Sequence, residues 1–390
     1  MKKIFILLSL IVTFTASCGT DNQTEKVITG AEQLGEYLPL IQDKTVALVS
    51  NQTSMIGETH LVDTLLSLGV RIKLIFAPEH GFRDLADDGA VIQSGTDPVT
   101  GIEIVSLYTG KRKPSPEDLE GVDYVIFDIQ DVGTRFYTYL TTMSYVMESC
   151  AENNVSMILL DRPNPNGFYI DGPILDTAFS SFVGIHPIPV VHGMTFGEYS
   201  AMVNGEGWLP GGIRCDVKLV RCLNYTHDTL YELPVRPSPN LPNMNSIYLY
   251  PSICFSEGTV LSCGRGTPFA FQVLGAPLMP DKGFSFTPSP MPGATNPRHN
   301  GKVCFGIDLR NALIDGIVPS PAINLEWIIS AYNDYPEKDK FFNRYFDTLA
   351  GGTTLREQIE QGKSAEEIRA SWQEGLEKFS QVRNKYLLYN

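Results

Sequence analysis

Apolar residues in the first half of the chain fall into short unbroken runs, separated by stretches with helical spacing. Thr45–Ser50 (TVALVS), Val70–Phe76 (VRIKLIF), Asp123–Ile129 (DYVIFDI) and Val155–Leu160 (VSMILL) read as strands, with Ile102–Leu107 a weaker one. Leu61, Leu65 and Leu68 share one face of a helix over Thr59–Leu68. Phe136, Leu140, Met143, Met147 and Cys150 form the apolar stripe of another over Thr134–Asn153. Continuous apolar strands alternating with helices predict a parallel sheet buried on both faces, a Rossmann-like three-layer α/β sandwich.

The pattern changes in the second half. Residues 205–300 are rich in Pro, Gly and aromatics, with β-like pieces at Ser246–Tyr250 and Gly258–Ser262. Beyond Ile323 the spacing turns helical. Ser364-Ala-Glu-Glu367 is a capping box, followed by Ile368, Trp372, Leu376, Phe379, Val382 and Tyr386 at steps of three or four. We therefore expect an N-terminal domain over 43–247 and a smaller α+β domain over 248–390.

The chain opens with Met1-Lys2-Lys3 and an apolar run from Ile4 to Phe14, too short to span a bilayer, then Thr15-Ala16-Ser17-Cys18. Small residues before a cysteine resemble a bacterial lipoprotein signal. Residues 1–17 are then a signal peptide, Cys18 carries the lipid, and 18–42 is a tether and lead-in. The expected location is the cell envelope, with the lipid as the only membrane contact.

Composition narrows the partners. The formal charge of −14 over 390 residues argues against nucleic acid, which needs a dense basic surface. No GxGxxG or Walker loop follows a strand, so no nucleotide cofactor is implied. Six cysteines remain after Cys18; Cys215–Cys222 and Cys254–Cys263 are candidate bridges, although a chain of this length needs none.

Candidate chemistry collects at strand ends, where open α/β sheets bind ligands. Val70–Phe76 leads into Pro78-Glu79-His80-Gly81-Phe82-Arg83, Asp123–Ile129 into Gln130-Asp131-Val132-Gly133-Thr134-Arg135, and Val155–Leu160 into Asp161-Arg162-Pro163-Asn164. In a parallel sheet these three clusters should share one crevice. HExxH and GxSxG are absent. The remaining carboxylates, arginines, histidines and amides suit glycoside hydrolysis. Asp128-x-x-Asp131 has a spacing that suits a cation, but such pairs mostly cap helices, and we assign no metal. Further candidates are His192 in the loop before the Thr195–Glu198 capping box, Asn240 in the stiff Arg236–Pro242 run, and Glu257 and Arg265 beside glycines.

Five strings together resemble the exo-acting N-acetylmuramidase family (NamZ type): Pro78–Arg83, Asp128–Arg135, Asp161–Pro165, His192-Gly-Met and Phe255–Thr259. The resemblance runs from about Val46 to the C-terminus. It implies a cleft between a Rossmann-like domain and a smaller one, and release of N-acetylmuramic acid from the non-reducing end of peptidoglycan fragments. The family's catalytic glutamate falls on Glu79. For the second group we consider Asp131, Asp128 and Glu257. We expect Arg135 or Arg162 to pair with the lactyl carboxylate, and His80, Arg83, Gln130, Asn164, His192, Asn240 and Arg265 to line the substrate site. A non-catalytic glycan-binding lipoprotein is the alternative.

Overall fold

The computed structural model describes residues 25–83, 93–312 and 319–389. The signal segment and Cys18 lie outside them. No helix among the described residues is long and apolar enough to cross a membrane.

Seven strands form one sheet in the order Gly95–Thr96, Glu103–Ser106, Arg71–Ala77, Thr45–Ser50, Tyr124–Asp128, Ser156–Leu160, Val217–Val220. All neighbours are parallel except the Gly95–Thr96 edge. The strands at the centre are the apolar runs, because only residues without polar side chains tolerate burial on both faces. Val217–Val220 lies outside the predicted set. It is an edge strand carrying Lys218, with only Val220 buried, so its run is too mixed to read as a core strand.

Register brings the carboxyl ends level. Val49 sits opposite both Phe76 and Phe127, and Ser50 opposite Asp128. Ala77 pairs with Ser106, so the loops starting at Pro78 and Leu107 leave the sheet side by side. The chain builds outward from Thr45–Ser50 on one side, then crosses to the other, and this reversal makes a crevice at the carboxyl edge.

Two predicted helices start later than expected. Thr59–His60 pairs with Met55–Ile56, and the His60 ring caps the helix Leu61–Ser67. The Thr134–Asn153 helix begins at Tyr139, because Thr134 bridges Val191 and Arg135 N–H donates to Val190 O, which keeps that backbone extended. Ser246–Tyr250 is not β-like. It lies within the helix Met244–Ile253, where a capping box between Asn243 and Ser246 outweighs the aromatic, β-branched composition. Gly258–Ser262 makes only isolated bridges, Thr259 to Phe342 and Ser262 to Gly275.

A three-stranded antiparallel sheet (Val273–Ala276, Cys304–Asp308, Ser285–Phe286) and the helices Glu326–Asp334, Arg344–Ala350, Thr354–Glu360 and Ala365–Arg383 make up most of the second half. The capping boxes at Thr195 and Ser364 are both formed. One apolar cluster runs from the central sheet through Phe136 and Phe255 to Ile368 and Trp372, joining the two halves. Phe136 packs edge-on against Tyr250 and Phe255, with centroids 5.3 and 5.7 Å away. The six described cysteines are free and buried, so neither candidate bridge forms.

Candidate active site

Glu79 leaves the sheet two residues after Ala77, in a turn closed by Gly81 N–H donating to Pro78 O at 3.1 Å. His80 occupies the third position of that turn with φ 71°, a left-handed conformation usually left to glycine. Strain of this kind persists only where the surroundings over-determine it, and it clusters at functional sites. The turn holds the Glu79 side chain 7% exposed, facing a cleft of about 570 Å³. Thr138, the residue before the helix Tyr139–Glu152, donates its hydroxyl to Glu79 Oε2 at 2.7 Å instead of capping that helix. No described residue donates to Oε1. The Tyr139 hydroxyl reaches Glu79 O at 3.3 Å and itself accepts from Asn51 Nδ2.

The cleft lies between the two halves of the chain. Its walls carry Glu79, His80, Tyr108, Arg112 and Thr138 from the first half, and Tyr250, Glu257, Arg265, Phe271 and Arg298 from the second. Among the described lining residues the carboxylates are Glu79 and Glu257. The Glu257 carboxylate accepts from Arg265 Nε at 2.7 Å and from the Cys254 and Cys263 thiols at 3.7 and 3.9 Å. Arg298 secures that loop by donating to the carbonyls of Glu257, Thr259 and Leu261. An acid on each half of a partly apolar cleft, flanked by guanidinium groups, can donate a proton, stabilise a developing cation and hold an anionic ligand.

The three strand-end clusters do not share this crevice. Asp128 is fully buried and forms a two-pronged ion pair with Arg162, at 2.6 and 2.9 Å. Arg162 also donates to Met55 O, so the cation beside Asp128 is an arginine. Arg162 borders a different, larger cavity of about 970 Å³ with Tyr231, Thr226 and Glu32, which none of the Glu79 cluster reaches. Asp161 is buried and accepts from Thr195 Oγ1, Gly197 N and Tyr389 Oη, pinning the C-terminal tail to the sheet.

Arg135 does not line the cleft either. It is 1% exposed and donates to the carbonyls of Pro173, Ile188, Leu349 and Ala350 at 2.8–2.9 Å. Two of those end the helix Arg344–Ala350, where a cation meets the negative end of the dipole. Arg83 pairs with Asp63 and Asp97. Gln130 donates to Asp131 O and Pro163 O, Asn164 to Met194 O, and Asn240 to Gly293 O; none of the three lines the cleft.

Asp131 and His192 lie together behind the cleft, 3.8 Å apart. Asp131 Oδ2 accepts from Gly133 N, while Oδ1 and His192 Nε2 are buried with no hydrogen-bond partner. Burial pushes the Asp131 carboxyl up to about 7 and the His192 imidazole down to about 3. Near neutrality His192 is uncharged, and the contact is not an ion pair.

Sequence reasoning missed Tyr108, Arg112, Thr138, Phe182 and Arg298. The strand-end rule reaches the first two if applied to the weak Ile102–Leu107 strand, which is followed by Tyr108-Thr-Gly-Lys-Arg112. Thr138 is hidden by reading 134–153 as one helix. Arg298 has no local signal.

Comparison with known proteins adds the family. Residues 46–245 match the model of the N-terminal part of exo-beta-N-acetylmuramidase NamZ, and 248–389 match its C-terminal part. The chain is 38% identical to peptidoglycan beta-N-acetylmuramidase NamZ of Bacillus subtilis (strain 168), over the full length of both. Two DUF1343 family crystal structures from Bacteroides fragilis NCTC 9343 superpose on it. One is 49% identical with a TM-score of 0.86, covering 94% of this chain and 99% of that one. The other is 27% identical with a TM-score of 0.79, covering 93% and 99%. A two-part match across nearly the whole chain, on a fold with a glutamate-bearing cleft between its halves, places this protein in the exo-β-N-acetylmuramidase NamZ family of glycoside hydrolases.

Proposed function

We propose that the protein releases N-acetylmuramic acid from the non-reducing end of peptidoglycan fragments, with Glu79 as the general acid. The observation that carries this reading is the Glu79 carboxyl: one oxygen is fixed by Thr138, and the other has no described donor, in a cleft of ligand-site size. The held oxygen sets the rotamer, and the other can deliver a proton to the glycosidic oxygen. Glu257 is the second carboxylate that supports the reading. It faces the same cleft from the other half of the chain and is suited to stabilise the oxocarbenium-like transition state or orient water. Asp128 is unsuited to that role, because both its oxygens are taken by Arg162. Asp131 is set back from the cleft wall.

The test is incubation with a 4-nitrophenyl N-acetyl-β-muramide and with a muramyl-glucosamine disaccharide. Release of nitrophenol and of free N-acetylmuramic acid is expected. Saturable binding with no turnover of either compound would contradict the enzyme reading.

For location, we propose attachment to the cell envelope through a lipid on Cys18, on the strength of the apolar run and small residues before it. Metabolic labelling with an alkynyl fatty acid should tag the wild-type protein and not Cys18→Ser. Equal labelling of both would refute the anchor.

A further inference from the structure

We infer that Arg112 is the residue that reads the lactyl carboxylate of the sugar, so that recognition of muramic acid rests on a cation carried by the Leu107–Lys113 loop. The inference rests on the muramidase reading above and assigns a role to a residue that the sequence motifs pass over.

Three arginines line the cleft: Arg112, Arg265 and Arg298. Two are committed to the protein. Arg265 Nε bonds Glu257 at 2.7 Å, and Arg298 donates to three backbone carbonyls. Arg112 has no hydrogen bond or ion pair among the described residues. Its guanidinium lies over the Phe182 ring, 4.3 Å from the centroid. Stacking on a ring face leaves the planar edge of donors open, and that edge matches the two oxygens of a carboxylate.

The neighbouring residues show why, of three consecutive cations, the middle one turns to the cleft. Arg112 is flanked by Lys111 and Lys113, and both lysines are tied to the body of the domain. Lys111 Nζ pairs with Asp118, and Lys113 Nζ with Glu148 and Glu152 at 2.6 and 2.8 Å. With both neighbours anchored, the middle side chain is directed away from them.

Its stacking partner is held as well. Phe182 sits at the tip of a tight turn closed by reciprocal hydrogen bonds between Ser181 and Gly184, at 2.8 and 3.1 Å. Its ring packs near Tyr108 and Tyr145, with centroids 5.7 and 6.5 Å away. Gly184 lies against the Arg135 side chain, where an added Cβ would come within 3.0 Å of Cγ. Arg135 therefore acts one layer behind the site: its shaft backs the turn, the turn fixes Phe182, and Phe182 orients Arg112. A side chain ordered in advance loses less entropy on binding. In a chain of net charge −14, such a cation is also the means of drawing in an anionic sugar.

N-Acetylmuramic acid differs from N-acetylglucosamine by the lactyl ether at O3, which carries one negative charge. Converting that carboxylate to a methylamide keeps its bulk and removes the charge. The experiment compares kcat/KM of wild type, Arg112→Ala and Arg112→Lys on the 4-nitrophenyl muramide and on its lactyl methylamide, with melting temperatures as a check on folding. A charged hydrogen bond of the usual strength corresponds to roughly 10- to 100-fold in kcat/KM. Wild type should prefer the carboxylate by that factor, Arg112→Lys should keep part of the preference, and Arg112→Ala should bring the ratio to near one by losing activity only on the charged substrate. An active wild type whose preference survives Arg112→Ala, or an Arg112→Ala variant that loses equally on both substrates, overturns this inference alone. A wild type that hydrolyses neither compound overturns the muramidase reading and this inference with it.

Discussion

Glu79 and Asp128 follow or end the two strands that flank Thr45–Ser50 in the same sheet, and both are buried carboxylates with an arginine in the motif nearby. They differ in what surrounds the oxygens. Asp128 has both oxygens bonded to Arg162, at 2.6 and 2.9 Å. Glu79 has one oxygen on Thr138 and one facing the cleft. The same contrast separates Arg135, with four carbonyl partners, from Arg112, with a ring face. Residue type and strand-end position are shared by both regions. Unfilled hydrogen-bonding capacity beside an open cleft is what marks the chemical one.

The contrast is open to attack from both sides. The largest effect belongs to Glu79→Gln. Loss of a general acid should lower kcat on the disaccharide by about 10²- to 10⁴-fold with little change in melting temperature. The loss should be smaller on a nitrophenyl substrate, whose leaving group needs less protonation, so equal losses on the two would argue for a purely structural Glu79. Asp128→Asn should do the reverse. It leaves Arg162 as an unpaired buried charge and should cost about 3–5 kcal/mol in urea denaturation. The folded fraction should keep near-normal kcat, and a selective collapse of kcat in a stable protein would break the distinction.

Thr138→Val tests the hydroxyl that orients Glu79. Removing a hydrogen bond to a carboxyl that becomes negative as its proton leaves corresponds to about 10-fold or somewhat more in kcat, with KM nearly unchanged. A rise in KM at constant kcat would mean the hydroxyl serves binding instead. The smallest effect concerns Asp131. With its carboxyl pushed up to about 7, the native state holds a proton that the unfolded chain releases near 4. Stability contributed by that group is therefore present at low pH and falls as pH rises through this window. Asp131→Asn should gain on wild type by on the order of 1 kcal/mol per pH unit between pH 5 and 7, read from paired melting curves. No relative gain would mean that Asp131 is ionised in the fold.

The central sheet was readable in advance because burial on both faces demands unbroken apolar runs, and Thr45–Ser50 appears with its predicted bounds. Val217–Val220 escaped because an edge strand is free of that demand. Ser246–Tyr250 misled because its aromatics pack in a helix whose start is set by Asn243. At the site, Glu79 was visible through its motif and strand-end position. Arg135 and Arg162 were misassigned because a sequence displays a guanidinium without its partners. Those partners lie 38 to 215 residues from Arg135 and 34 to 107 residues from Arg162. Arg112 was overlooked because its strand is short and only partly buried.

The central claim is tested most directly by a crystal structure of Glu79→Gln with a muramyl-glucosamine disaccharide bound. The account predicts the sugar in the cleft between the two halves, with the side-chain amide at position 79 within about 3 Å of the glycosidic oxygen. A disaccharide seated instead in the cavity beside Arg162, or bound in the cleft with that oxygen out of reach of position 79, would contradict it.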